Sequence, residues 1–600
     1  MSDDESGTGT GAGAGPGRGG RGRGGGTGGG RPRSPGGAGD GGPRGGAPGG
    51  GPRGGGPRGG GPRAGGPRGG GPRADGPRSG GPAGAGPRTS GPGAGAGGRG
   101  GEAGRRSGPD RQRWSTQKPS QRSRGGGPAR EVAFDVLTAV REEDAYANLV
   151  LPALLRKHRL DAREASLATE LAYGTLRGRG LYDAVLAACV DRPLAQVDPP
   201  LLDALRLGAH QLIATRVPPH AAVSQTVGLV RTRVGPGGGG FANAVLRRVA
   251  EHDRDAWAER VAPEDGDPTE RLAVLHSHPA WVVRALREAL VTHGRDVGEL
   301  EALLRADNAA PEVVLAARPG LSTPEELVAA AGAAVLRTAS GAWSPQAVRL
   351  EEGDPGALAP VRDGRARVQD EGSQLVALAL AAAPLEGRDE RWLDLCAGPG
   401  GKAALLSAAG AARGARLTAV EVSEHRARLV AQALAAGPDV EVRTGDGRAV
   451  GDDEPGGYDR VLVDAPCTGL GALRRRPEAR WRRQPSDLSG LGPLQRDLLA
   501  SALAAVRVGG VVAYVTCSPH PAETVAVVRD AVRRGAVDLL DAPAVLDAAA
   551  LSPVPGTAPP LDGGGGASGA EVDAAGRTAQ LWPHAHGTDA MFLALLRRTA

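Results

Sequence analysis

Cysteine is scarce in this chain of 600 residues: there are four, Cys189, Cys396, Cys467 and Cys517. That density excludes a disulfide-stapled scaffold, and no two of them form the C-x-x-C pair of a structural zinc site, so no metal is expected. A reducing cytoplasm is the compartment such usage suits. No uninterrupted apolar run approaches the ~18 residues needed to span a bilayer. The opening Met1-Ser2-Asp3-Asp4-Glu5 is acidic and lacks the apolar core of a secretory leader, so no membrane association is expected. Large apolar side chains are nearly missing from residues 1 to 127, where Trp114 is the only aromatic. Such a segment cannot bury enough surface to offset the entropy of ordering its backbone, and it reads as a disordered tail.

What the tail does contain is Gly-Pro-Arg, repeated with Gly or Ala spacers as at Pro52-Arg53, Pro57-Arg58 and Pro62-Arg63. It carries 21 Lys and Arg against 7 Asp and Glu, so the whole-chain charge of +6 leaves −8 for the rest. The basic character belongs to the tail, which suits either a solvated linker or an arm drawn to nucleic acid phosphates.

Beyond it, apolar positions recur at helical spacing from 128 to 252: Val132, Val136 and Val140; Leu181, Val185 and Cys189; Val223, Val227 and Val230; Phe241, Val245 and Val249. This predicts a compact helical domain with Cys189 in its core, helix starts at Pro199-Pro200 and Pro218-Pro219, and a loop over Gly235 to Gly240. Residues 253 to 277, charged and broken by Pro263 and Pro268, read as a linker. Residues 278 to 368 read as a small α+β segment, with a helical run from Trp281 to Leu290, a strand at Val313 to Ala316 and a helix capped by Ser322 and Thr323. From 369 to 600 helices alternate with short apolar strands at Trp392–Leu395, Leu417–Val420, Val440–Val442, Val461–Asp464 and Val511–Val515. That alternation predicts a Rossmann-like α/β domain with a mostly parallel sheet, whose ligands bind beyond the carboxyl ends of the strands.

The unusual residues sit at those ends. Asp394-Leu395-Cys396-Ala397-Gly398-Pro399-Gly400-Gly401-Lys402 leads into an alanine-rich helix, a place where backbone and helix amides approach a ligand closely. A Walker loop is excluded by Cys396 and Ala403, whereas a dinucleotide fingerprint with Glu421 as its acid stays open. Lys402 opposes the helix dipole, which calls for an anionic partner. Asp446 follows the third strand, Asp464 ends the fourth in Asp464-Ala465-Pro466-Cys467-Thr468-Gly469, and Cys517 ends the fifth in Thr516-Cys517-Ser518-Pro519. Two cysteines at neighbouring strand ends beside an acid form a nucleophile-and-partner arrangement. Arg474-Arg475-Arg476 and Arg480-Trp481-Arg482-Arg483 read as a clamp for RNA backbone with a stacking ring.

These three motifs resemble those of RNA cytosine-5 methyltransferases. The helical region with Phe241-Ala242-Asn243-Ala244-Val245-Leu246-Arg247-Arg248 is similar to a NusB-like RNA-binding domain. The pairing, extended by Val368 to Gln374 and Trp582 to Phe592, is that of the RsmB/Sun group, which methylates a cytidine of small-subunit (16S) rRNA. The resemblance implies that Cys396, Ala397, Gly398, Pro399, Gly400, Gly401 and Lys402 line an S-adenosylmethionine site. It further implies that Glu421 binds ribose hydroxyls, that Asp446 meets adenine and that Asp464 lies between cofactor and target base. Cys517 would be the nucleophile and Cys467 would assist product release. Thiolate addition at carbon 6 makes carbon 5 of cytosine able to accept a methyl group, and the target base must be single-stranded or flipped out. RNA is the expected partner, with no stable protein partner implied. The alternatives are the same chemistry on tRNA or another RNA, a nicotinamide-dependent dehydrogenase that leaves both cysteines idle, and a non-catalytic RNA-binding ribosome assembly factor.

Overall fold

The computed structural model describes residues 125–262, 264–558 and 576–600. The expectation of a disordered tail falls on residues outside that set, apart from 125–127. Among the described residues no helix is long and apolar enough to cross a membrane.

Seven helices, Pro128–Glu142, Ala147–His158, Ala162–Arg177, Arg179–Cys189, Pro199–Ala214, Pro219–Arg233 and Gly238–Val249, form an all-α domain. Three of them begin on proline, whose missing N–H is no loss in a first turn. Their apolar stripes converge on one core that contains Val132, Leu171, Val185, Cys189, Leu205, Leu229, Val245 and Leu246. The expected loop over Gly235 to Gly240 is shorter than its composition suggests, because the last helix already starts at Gly238. Here glycine serves close packing: a Cβ on Gly239 would stand 2.8 Å from the Arg231 side chain.

The stretch read as a linker, 253 to 277, carries two helices, Arg254–Val261 and Pro268–Leu275. Asp253 and Asp267 cap them, accepting from Ala256 N at 2.9 Å and from Thr269 N at 2.8 Å. Trp257, 4% exposed, donates from Nε1 to the Val249 carbonyl at 2.9 Å and anchors the first to the helical domain. Charge and proline content there reflect caps and solvent-facing turns.

Helices Ala280–Thr292 and Leu300–Asn308 precede a four-stranded antiparallel sheet of β1 (Val313–Ala317), β2 (Thr338–Ser340), β3 (Ala347–Leu350) and β4 (Ala366–Val368), in the order β2-β3-β1-β4. Thr323 caps the helix Pro324–Ala333, accepting from Glu326 N at 3.3 Å.

The larger sheet contains β5 (Arg391–Asp394), β6 (Arg416–Glu421), β7 (Glu441–Thr444), β8 (Tyr458–Asp464), β9 (Val506–Thr516), β10 (Val537–Leu539), β11 (Ala579–Gln580) and β12 (Phe592–Arg598). Its order is β10-β12-β9-β8-β5-β6-β7, with β11 beside β12. Strands β5 to β9 pair in parallel and β12 runs antiparallel to β9. Alternate side chains enter separate cores: Leu462, Ala513 and Val515 pack on one face, and Val461, Val463, Val512 and Tyr514 on the other. Both faces are thus covered by helices, which is why these strands read as continuous apolar runs. The carboxyl ends of β5, β6, β7, β8 and β9 share one edge of the sheet, where Asp394, Glu421, Asp464 and Cys517 emerge.

Candidate active site

At the end of β5 the chain turns through Leu395 to Gly400 into the helix Gly401–Ala411, whose N-cap Gly400 is left-handed with φ 98°. A side chain at Gly400 would be strained by that φ, and its Cβ would stand 2.6 Å from that of Ala433. Gly398 lies over Glu421, donating from its amide to Oε2 at 3.1 Å, and a Cβ there would be 2.3 Å from the same oxygen. The Glu421 carboxylate, 2% exposed, also accepts from Ser423 N at 3.0 Å and pairs with Arg426 at 3.2 Å. It stands held in one orientation at the edge of the loop. Cys396, between Asp394 and Gly398, is half-buried, and burial with the neighbouring carboxylates pushes its thiol well up, so it is no nucleophile.

Asp394 is 1% exposed and, among the described residues, receives only a long bond from Cys396 N at 3.4 Å on Oδ1 and has no donor for Oδ2. Burial first, then the Asp464 charge, push its carboxyl up to about 7. An orphaned buried carboxylate oxygen beside a glycine loop fits a small ligand that carries positive charge, as a sulfonium and an amino acid ammonium do. Asp446, by contrast, follows the outermost strand β7 and is 42% exposed in its side chain, folded onto Arg448 at 2.6 Å. The structure thus brings Asp394, the glycine loop and Glu421 together and leaves Asp446 at the periphery.

The anionic partner that Lys402 requires is Asp464, with Nζ 2.8 Å from Oδ2. Burial works against the ammonium, but the Asp464 pairing overrides it and holds Lys402 above its ordinary value. On the other side of Asp464, the Cys467 and Cys517 sulfurs approach to 3.4 Å and both cysteines are free. The hydrogen bond between them lowers the Cys517 thiol and raises that of Cys467. Arg476 and Lys402 add to the lowering at Cys517, while burial and Asp464 oppose it. The pair is therefore unequal: Cys517 is the readier thiolate and Cys467 the S–H donor beside it.

The spacing of the two sulfurs rests on residues that sequence reading missed. Glu523, 1% exposed, accepts from Thr468 N at 2.8 Å and Thr468 Oγ1 at 2.5 Å, and from Gln495 Nε2 at 3.1 Å. Thr468 Oγ1 lies 3.1 Å from Ser518 Oγ. One carboxylate thereby ties the residue after Cys467 to the residue after Cys517. The available signal was a lone acid six positions beyond Cys517, where the pattern is otherwise apolar.

The arginine run is mostly not a nucleic acid clamp. Arg474 and Arg475 bind Asp370 and Asp589 at 2.6 to 2.9 Å. Arg480, fully buried, donates to Asn308 Oδ1 at 2.7 Å and to the carbonyls of Ser277 and Asp307 at 3.1 Å. Arg482 donates to the Val140 carbonyl at 3.1 Å and pairs with Asp144 at 2.7 Å. Trp481 is half-buried, with the Arg179 guanidinium 5.3 Å from its ring centre. These cations join distant parts of the chain.

Comparison with known proteins agrees with this architecture. The family described as 16S rRNA methyltransferase RsmB/F matches residues 380–597, and the NusB family matches 127–251. Rv1407 of Mycobacterium tuberculosis is 54% identical over 472 residues, covering 78% of this chain and 96% of its own length. Ribosomal RNA small subunit methyltransferase B of Pseudomonas putida is 32% identical, with 67% of this chain and 88% of its own covered. The crystal structure of PH0851 superposes with a TM-score of 0.63 at 21% identity over 79% of this chain and 99% of its own, a likeness of fold. The chain belongs to the RsmB/F family of 16S rRNA methyltransferases, with a NusB-family domain preceding the catalytic one.

Proposed function

We propose that this protein methylates carbon 5 of a cytidine in 16S rRNA in the cytoplasm, with Cys517 as covalent nucleophile. The observation that carries the reading is the pair of free sulfurs 3.4 Å apart beyond the ends of β8 and β9, one thiol depressed and one raised, beside the Lys402–Asp464 ion pair. S-adenosylmethionine would be held by Cys396 to Lys402, Glu421 and Asp446, with Asp394 and Asp464 near its cationic part, and it supplies a methyl group on a positively charged sulfur. The Cys517 thiolate adds to carbon 6 of the cytosine, forming a C–S bond and pushing electron density to carbon 5. Asp464, oriented by Lys402, hydrogen-bonds the cytosine ring as charge develops there. Once carbon 5 carries its methyl group, loss of its proton to a base lets the C–S bond break, and Cys467 S–H stabilises the departing thiolate.

Methyl transfer from labelled S-adenosylmethionine to 16S rRNA, followed by bisulfite mapping, tests this. Cys517→Ala is expected to abolish transfer, and residual transfer in that variant ends the covalent proposal. Cys467→Ala is expected to accumulate a protein–RNA adduct that survives denaturation. Free RNA alone would remove its role in release.

A further inference from the structure

Six arginines lie within residues 474 to 483, and five are engaged by the protein. Arg474, Arg475, Arg480 and Arg482 make the contacts described above, and Arg483 faces Asp487 at 3.7 Å. Arg476 differs: it is exposed, with no side-chain hydrogen bond or ion pair to the described residues. It lies over an aromatic ring, with the guanidinium carbon 5.0 Å from the centre of Tyr146. Tyr146 comes from the helical domain, where it caps the helix Ala147–His158, and its ring is 36% exposed. Arg482 lies against the same ring at 5.2 Å, and the Ala147 amide is fixed by Glu478 Oε1 at 3.1 Å. Glu478, two positions on, is buried and already bonded to that amide.

The segment bearing Arg476 is anchored at the nucleophile. The Gly471 amide donates to the Cys517 carbonyl at 2.9 Å, and the Arg476 amide to Ala472 at 3.0 Å. The Arg476 charge is felt at the Cys517 sulfur, where it favours the thiolate. An exposed cation with no ion pair among the described residues, placed over an aromatic ring beside a site that must admit a polyanion, lacks its counter-charge. A guanidinium offers a planar fork that matches the oxygens of a phosphate.

We propose that Arg476 grips an RNA backbone phosphate beside the cysteine pair, and that Tyr146 is the positioning residue by which the helical domain orients it. The inference rests on the RNA-methylating reading above. The test titrates the full-length protein with a fluorescent 16S rRNA transcript across a salt series, alongside steady-state methyl transfer. Arg476→Ala is expected to weaken binding about tenfold at physiological salt and to reduce the slope of log affinity against log salt by about 0.7, the share of one single-stranded phosphate. Arg476→Lys restores that slope. Tyr146→Phe behaves as wild type, whereas Tyr146→Ala raises KM for RNA about threefold and leaves kcat unchanged. A wild-type slope in Arg476→Ala, or a slope loss that Arg476→Lys does not restore, overturns the phosphate contact; unchanged KM in Tyr146→Ala overturns the positioning role. Each is separable from failure of the underlying reading, in which the wild-type protein itself methylates no RNA.

Discussion

Glu523 shows how much of this site depends on a residue that touches no substrate. Its carboxylate has only neutral donors, Thr468 and Gln495, so its removal leaves buried N–H and O–H groups without an acceptor. Glu523→Ala should let the Cys467 loop drift and lower kcat about 10- to 100-fold with little change in KM for RNA, because misplacement of about 1 Å is costly in a preorganised site. Glu523→Gln keeps an acceptor for Thr468 N and should retain most of the rate; equal losses in both variants would point to charge instead of position. At this scale the sequence singled out the two cysteines whose sulfurs lie 3.4 Å apart and was weak about what supports them. A cysteine at a strand end announces itself by its element, whereas Glu523 acquires meaning only when the turn after β9 folds back onto Thr468. Asp446, also at a strand end, has its side chain on Arg448, a contact that would have to open for the proposed role toward the adenine.

At the scale of elements, β1 and the parallel strands β5 to β9 were legible because apolar runs bounded by Gly, Pro and Asp have few other uses, whereas the short strands β2 to β4 and the antiparallel strands β10 to β12 were not read. The linker at 253 to 277 was misread because short capped helices and solvated connections share their composition. The run at 474 to 483 was misread for another reason: charge in a sequence does not state whether its partner is water, ligand or protein. Here Asp370, more than a hundred positions before Arg474, and Asp589, as far beyond it, are the partners. Arg474 is 8% exposed and Asp370 5% in their side chains, so this is a buried network. Removing one partner should strand a desolvated charge. Arg474→Ala is expected to cost about 3 to 5 kcal/mol in denaturant unfolding. A loss below about 1 kcal/mol would show that Arg475 alone neutralises both carboxylates.

The whole molecule is joined where the helical domain, the connecting helices and the catalytic domain meet. The Leu181 amide donates to Ser277 Oγ at 3.0 Å, and a Cβ on Gly180 would stand 2.9 Å from the Trp481 ring. In this joint Asp307 is 1% exposed, neither carboxylate oxygen has a donor among the described residues, and His278 lies 3.7 Å away, held neutral by burial. Burial pushes the Asp307 carboxyl up to about 7, against the pull of Arg480. A folded value raised above the unfolded one stabilises the protein at low pH, and that stability is lost as pH rises through about 7. Wild-type protein should therefore melt at lower temperature at pH 8 than at pH 5. Asp307→Asn should flatten that dependence and be about 1 to 3 kcal/mol more stable at pH 8. Parallel pH profiles for the two proteins would exclude a raised Asp307.

By itself the sequence determined the helical class of residues 128 to 252, the α/β class of the domain from 369 onward and the strand ends at which the two neighbouring sulfurs lie, since these follow from local periodicity and from residue types with few alternative roles. The tertiary structure decided which charges are spent inside the protein, which carboxylate spaces the cysteines and which arginine is left to face a ligand. Desolvation and long-range pairing set those outcomes, and both depend on groups brought together from positions hundreds of residues apart.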